Sequence, residues 1–477
     1  MTPNDATLLL YSNVFMGVMG CLLVIPVLLR KSDVFTAWNF FLVGTIVFCG
    51  VSAHNCVNNA HYLEGYRTAD YVKYYVGSVI FFTTIVLTYY FFGFPRRLAG
   101  RHFLEWPKLT PATAPVIVLP LVAMSLFMVI PVPVPGLRQF LFQVALSAPT
   151  IGLACAFIVW FRSPANVFLM LLVAIAAGAA MFSSISGGTS RRYLISTLSS
   201  VPICFYWAWL RYKSTPVIFG WIVASIAAVI PILTGFTMIR HSTRETATSA
   251  SERMSQLVES LPKAIQAGGS LEGFTGQDSV EAALLTIHML NNGSKALEVY
   301  PFYSVVYIAT NPIPRSVWSG KPVSLGIVVP KRSGLTSQGV NFNIGVNVVA
   351  QCYYDGGLFI HVLYAIGFGG FLRFMDELLV RQPGNPFVVG TVVAMSGQIL
   401  GWPRGGIETM GLQVLLAFFI MMMICWVGRT FFGGGLAYQR SDHLDPFPVL
   451  RSEKDWQRWM GSFTSVAPAQ SRPRYDD

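Results

Sequence analysis

Eleven runs of apolar residues, each bounded by charges or by Pro/Gly clusters, constrain this chain more than any other feature of its sequence. They cover 6–29, 35–53, 75–94, 114–132, 140–161, 165–185, 194–210, 217–239, 356–372, 387–402 and 411–427. A helix needs about 20 apolar residues to cross a bilayer, so the shorter runs should extend into flanking polar residues. With 53% hydrophobic and only 12% charged residues, the chain departs from soluble domains in the same direction. The expected fold is an all-α polytopic membrane protein of about 11 transmembrane helices. The segment 1–5 has no Lys or Arg, which argues for a retained first helix over a signal peptide.

Charge placement predicts orientation. With the N-terminus outside, the inner segments hold Arg30, Lys31, Arg96, Arg97, Arg101, Lys108, Arg162, Arg211, Lys213, Arg373, Arg381 and the basic residues from Arg429 onward. The short outer loops hold Arg67, Lys73, Arg138, Arg191, Arg192 and Arg404. That bias follows the positive-inside rule and places the C-terminus inside. It also accounts for the net charge of +11 without nucleic acid as a partner. Of the seven cysteines, Cys21, Cys49, Cys155, Cys204 and Cys425 fall in or beside apolar runs, and no C-x-x-C pair exists. They are expected to be small core residues; Cys56 and Cys352 could share a compartment, with a bridge between them the less favoured outcome.

The runs divide the chain into spans one to eight (1–239), a long outer-face loop (240–355), spans nine to eleven (356–433) and an inner tail (434–477). The loop opens on a polar connector. Asp278 and Glu281 then read as a capping box for an amphipathic helix, packed on the membrane domain or lying along its surface, in which Val280, Ala283, Leu284, Ile287 and Leu290 repeat at helical spacing. Past Gly293 come short apolar pieces, VVYIA and LGIVV, too short to cross and expected to fold onto the outer mouth of the bundle. In the tail, Trp456, Trp459 and Phe463 share one face of a possible surface helix.

The stretch 300–332 concentrates chemistry. It carries Arg315, Lys321, Lys331 and Arg332 between aromatic clusters and prolines. Pro314 can open a helical turn that Ser319-Gly320 closes, with Trp318 suited to interfacial depth. Arg315 and Lys321 would then clamp an anion, or else pair with local carboxylates or lipid headgroups. Arg191 and Arg192 in SGGTSRRYL and Arg404 in GWPRGGIE stand at two further outer positions, against the positive-inside tendency. A guanidinium grips phosphate oxygens bidentately, so the three loops together suggest a diphosphate clamp.

These residues carry a resemblance. The run IPRSVWSGKP (313–322), with TSRRYL (189–194), NIGVNVVAQCYYDGGLF (343–359) and PRGG (403–406), resembles the Wzy-type oligosaccharide repeat-unit polymerases of bacteria. The likeness covers the second half of the chain and the seventh run. It implies a GT-C-like glycosyltransferase of the bacterial inner (cytoplasmic) membrane, with a periplasmic N-terminus and a cytoplasmic C-terminus. Its donor and acceptor would be undecaprenyl-diphosphate-linked oligosaccharides, joined into O-antigen or exopolysaccharide at the periplasmic face. The resemblance implies no cofactor and no metal, and allows a chain-length-regulating membrane protein as partner.

On that reading Arg191, Arg192, Arg315, Lys321 and Arg404 bind the diphosphate, and Lys331, Arg332 and Trp318 contact headgroups. The chain departs from the family where an Ala-Glu-x-Tyr pattern is expected, reading Ala350-Gln351-Cys352-Tyr353 instead. An amide is no general base. Asp355, Glu408 and His361 are the acid-base candidates left, with a packing hydrogen bond the favoured role for His361 and ion pairing open to Glu408. An O-antigen ligase and a lipid-linked sugar flippase are the rival readings; a transporter would be expected to show repeated halves, and none are visible.

Overall fold

The structure is a computed structural model describing residues 3–58, 65–100, 109–130, 135–186, 191–242, 250–266, 279–291, 297–335 and 343–432. Its regular structure is helical throughout the described residues. Among the described residues eight helices are long and apolar enough to cross a membrane: α1 (Pro3–Leu28), α2 (Ala37–Asn58), α3 (Thr68–Phe91), the Phe140–Arg162 part of α6 (Pro135–Arg162), α7 (Val167–Ser186), the Thr215–Met238 part of α9 (Thr215–Ser242), α15 (Leu358–Arg381) and the Ile407–Gly428 part of α17 (Ile407–Phe432). The chain is therefore a polytopic, membrane-embedded protein. The other three expected runs form α5 (Ala114–Met128), α8 (Arg191–Ala208) and α16 (Pro386–Gly401). Between these lie α4 (Gly93–Gly100), α10 (Ala250–Gln266), α11 (Ser279–Asn291), α12 (Tyr303–Thr310), α13 (Leu325–Ser333) and α14 (Val348–Tyr354).

Helix α16 is the axis of the bundle, with all of its residues buried. Glycines let its neighbours come close, since a Cβ at Gly397 would lie 2.0 Å from the Arg192 carbonyl oxygen of α8. Likewise a Cβ at Gly44 of α2 would lie 1.9 Å from the Leu400 carbonyl oxygen. Small residues at crossing points are how helices pack when lipid supplies no hydrophobic drive. Helix α2 widens into a π turn at Ile46–Val51, which frees carbonyl groups from the regular ladder. Ser12 donates to the Gly50 carbonyl at 2.8 Å and Asn347 to that of Phe48 at 3.4 Å, so the irregularity ties α2 both to α1 and to the segment entering α14.

The bundle has two polar ends. At one, Arg211 grips Asp33 through two bonds of 2.7 and 3.0 Å. Asp376 caps the start of α2 by accepting from the amides of Ala37 and Trp38, and it also accepts from Tyr89 Oη. Glu377 lies 3.8 Å from Arg96, 2.5 Å from Arg373 and 3.5 Å from Arg381. At the other end α11 is pinned by Ser52, whose hydroxyl accepts from Val280 N at 2.9 Å, and by Asp70, which bonds His288 Nδ1 at 2.8 Å.

Helix α11 was expected to be amphipathic, yet it is buried nearly all round, on its Ala282–Leu285–Met289 side as well as its Val280–Ala283–Leu284–Ile287 side. Its Ala282–Leu285–Met289 side shares a core with Tyr303 of α12, Leu325 and Val329 of α13 and Tyr354 of α14, and its last residues, His288, Leu290 and Asn291, are half-buried. The pieces VVYIA and LGIVV are helical, within α12 and α13. All seven cysteines are free thiols, Cys56 and Cys352 included. Asp278, Arg101, Lys108 and the tail with Trp456, Trp459 and Phe463 lie outside the described residues.

Candidate functional site

The second polar end is organised by one carboxylate. Glu408 stands in the first turn of α17, where the helix dipole favours a negative charge, and it is fully buried. One of its oxygens accepts from Ser324 Oγ at 2.7 Å and from Leu325 N at 3.1 Å. The other accepts from Gln351 Nε2. Ser324 is the residue before α13, so Glu408 also takes that helix's first amide and serves two helix starts at once.

Gln351 explains the departure from the expected Glu. Its Oε1 accepts from Gly406 N at 2.7 Å and Ile407 N at 2.9 Å, capping α17 from a different helix. Its Nε2 donates to Ser304 Oγ at 2.8 Å and to Glu408. A primary amide has two donors and two acceptor lone pairs, and here all four are used. A carboxylate in its place could cap α17 but would face Glu408 with like charge.

Asp355 closes α14 beside this network. Its Oδ2 accepts from Ser304 N at 3.1 Å and Tyr364 Oη at 2.7 Å, while its carbonyl accepts from Phe302 N at 2.9 Å. Its Oδ1 is buried with no hydrogen-bond partner. Burial raises the carboxyl from 3.8 to about 6, against the opposing pull of those hydrogen bonds. Gly356 and Gly357, with φ of 136° and 76°, reverse the chain into α15 immediately afterwards. His361, in the first turn of α15, is fully buried. Its Nδ1 bonds the Gly357 carbonyl at 2.9 Å and its ring packs on Tyr353 and on Gly77, where a Cβ would meet Nε2 at 2.7 Å.

The cations fall into two groups. Arg192 opens α8 and is half-buried; its stem lies over Gly401, where a Cβ would come within 2.9 Å of Cδ, and it is within electrostatic reach of Glu408. Arg191 is half-buried in the same turn. Arg404 ends the 3-10 turn Trp402–Arg404. Its carbonyl accepts from Asn347 N at 2.7 Å and Ser279 Oγ at 3.3 Å, and its side chain crosses Gly345, where a Cβ would lie 2.4 Å from Cγ. Arg315 is exposed and donates to the carbonyls of Lys321 at 3.1 Å and Pro322 at 3.2 Å.

Lys321, by contrast, is buried and points inward. Its Nζ donates to the carbonyls of Asn311 and Ile313, so it staples the loop shut, and burial, reinforced by Arg315, lowers its pKa. Pro314 does open a single turn, its carbonyl accepting from Val317 N and Trp318 N. Trp318 is exposed, and so are Lys331 and Arg332 in the last turn of α13. Those two stand about 10 Å or more along the helix from Ser324 at its start.

Glu408 thus bonds the Ser324–Leu325 segment directly, stands just after the turn that ends at Arg404, and is within electrostatic reach of Arg192. His361 and the Lys331–Arg332 pair are set off from that junction. Sequence reasoning missed Ser304, Ser324, Asn347 and Tyr364, because lone hydroxyls and amides in apolar surroundings carry no spacing signal. The one legible cue was Gln351 itself, a polar residue between Ala350 and Cys352. No family model, no characterised protein and no solved structure matches this chain in the comparisons made.

Proposed function

We propose that the protein is a multi-pass glycosyltransferase of the bacterial inner membrane that polymerises undecaprenyl-diphosphate-linked oligosaccharides at the periplasmic face. In this reading all eleven apolar helices cross, in a GT-C-like arrangement with the N-terminus periplasmic and the C-terminus cytoplasmic. The ion-paired end is the cytoplasmic one and the Glu408 end the periplasmic one. The alternation of the helices between these two ends supports eleven crossings. What supports the functional reading is that Glu408 is hydrogen-bonded to the loop that carries Arg315, follows the turn that carries Arg404, and is within electrostatic reach of Arg192.

Arg191, Arg192, Arg315 and Arg404 would hold the diphosphate and stabilise the charge that grows on it, and Lys321 would set the loop that presents Arg315. An acceptor hydroxyl attacks the donor's anomeric carbon, the bond from that carbon to the diphosphate oxygen breaks, and the lipid diphosphate leaves. The hydroxyl proton goes to a base. Of the three candidates, Glu408 has both oxygens engaged, while Asp355 Oδ1 and His361 Nε2 each lack a partner; Asp355 adjoins the Ser304–Gln351–Glu408 network, whereas His361 Nε2 is shut in against Gly77 of α3. Tyr364, whose hydroxyl donates to Asp355, would relay the proton to it, while Ser304 holds the carboxylate through its backbone amide.

Purified protein in proteoliposomes, given lipid-diphosphate-linked oligosaccharide, is expected to yield a ladder of repeat-unit multiples. Transfer of one finished chain to a different lipid would identify a ligase. Movement of the lipid across the bilayer without any new glycosidic bond would identify a flippase and overturn the proposal.

A further inference from the structure

Helix α12 exposes the wrong face for water. Ser304, Ile308 and Asn311 turn inward: Ser304 joins the Gln351–Glu408 network, Ile308 lies against Gly411 of α17, and Asn311 is buried with its carbonyl on Lys321. The opposite face consists of Phe302, Val305, Ala309 and Pro312, all exposed, with no polar side chain among them. A surface helix in water carries polar residues on that side. Phe302 is in addition held outward at φ 58°, a left-handed conformation that non-glycine residues rarely adopt, fixed by its amide on the Asp355 carbonyl.

The position of α12 on α17 shows what covers this face. Gly411 is the first member of a helical row that continues through Leu415, Phe419, Met423 and Trp426, and those four are exposed on a helix apolar enough to cross the membrane. On a helix that crosses a membrane, an exposed apolar row of this kind is suited to acyl chains. Helix α12 sits on its end, and its own apolar face prolongs it. Beyond the helix come Val317 (77% exposed) and Trp318, with Arg315, Lys331 and Arg332 also exposed. Aromatic rings among cations are the composition of a membrane–water boundary that includes anionic lipid.

We infer that α12 and the loop after it are seated in the bilayer at the Glu408 end, with the Phe302–Val305–Ala309–Pro312 face in the upper acyl region and Arg315 at the headgroup plane. The seating itself does not depend on the polymerase reading. A consequence, which rests on the polymerase reading, is that Arg315 meets an anion still attached to its lipid, entering sideways along the bilayer.

The test uses the full chain with Cys21→Ser, Cys21 being the exposed cysteine among seven whose other six are buried. Val305→Cys then carries an environment-sensitive fluorophore, in nanodiscs containing phosphatidylglycerol. Leu415→Cys supplies the lipid reference, and Ser255→Cys, exposed on α10, the aqueous one. The Val305→Cys probe should be quenched about threefold or more better by lipid-borne nitroxide than by iodide, as at Leu415→Cys, with the order reversed at Ser255→Cys. Iodide-dominated quenching would overturn the inference, and so would protection from both quenchers, which would mean a protein cover. A lipid-like signal without a ladder would refute the polymerase and leave the seating standing; the opposite pair of results would do the reverse.

Discussion

The two polar ends of this bundle bury carboxylates in opposite ways. At the ion-paired end Asp33 is matched by Arg211, Glu377 by three arginines, and Asp376 by two amides and a tyrosine. At the Glu408 end Glu408 and Asp355 accept hydrogen bonds from hydroxyls, an amide side chain and backbone N–H groups, while Arg315 and Lys321 spend theirs on backbone carbonyls. Like is joined to unlike at the first end. At the second, Asp70 is paired with His288, but Glu408 and Asp355 take neutral donors while Arg315 and Lys321 bond backbone carbonyls. The first arrangement fastens helices together by charge, and the second holds Glu408 and Asp355 on neutral donors.

Stability measurements can break this contrast. Asp33→Ala leaves Arg211 buried and unmatched, so thermal or denaturant unfolding in detergent should register a loss of ~3–5 kcal/mol, the largest of the set. At the other end Gln351→Leu removes the cap of α17 and one donor to Glu408; an unmade hydrogen bond to a buried group costs ~1–3 kcal/mol, so a loss near the top of that range is expected. If the Gln351→Leu loss equals or exceeds that of Asp33→Ala, the claim that ion pairing is the stronger fastening fails.

The Asp355 carboxyl sharpens the contrast through pH. Its folded value, about 6, lies above its unfolded value of 3.8. The protonated form therefore adds stability that is fully present below pH ~4 and lost as pH rises through ~6, roughly 3 kcal/mol in all. Asp355→Asn should flatten that slope and leave the acid-side stability unchanged. A wild-type curve without a fall between pH 4 and 7 would contradict the burial argument. Gln351→Glu should behave in the same sense, stable in acid and weakened as two facing carboxylates ionise. The smallest effect belongs to Arg315→Ala, an exposed side chain whose removal should shift unfolding by less than ~1 kcal/mol, while any ligand-binding role would show elsewhere.

Much of this molecule was legible in its sequence, for identifiable reasons. Every apolar run became a helix because a bilayer demands long unbroken apolar stretches, and hydropathy records length and polarity directly. The helical character of VVYIA and LGIVV was not legible, since short apolar pieces give no period and their helices are held by capping partners far away in sequence, Glu408 for one of them. Lys321 was indistinguishable from Arg315 as a cation in a loop, and only burial separates the staple from the exposed guanidinium. Gln351 was readable as an anomaly but not as a hub, because its four partners come from residues 304, 406, 407 and 408.

The central claim is that the Glu408 end, and not the other, receives a lipid diphosphate. Affinity for undecaprenyl diphosphate in nanodiscs, compared among wild type, Arg192→Ala, Arg404→Ala and Arg96→Ala, tests it most directly. Loss of a charge-assisted contact to phosphate should weaken binding about tenfold or more at Arg192 and Arg404, with Arg96→Ala indistinguishable from wild type. Equal affinities in all four proteins, or a loss confined to Arg96→Ala, would contradict the account.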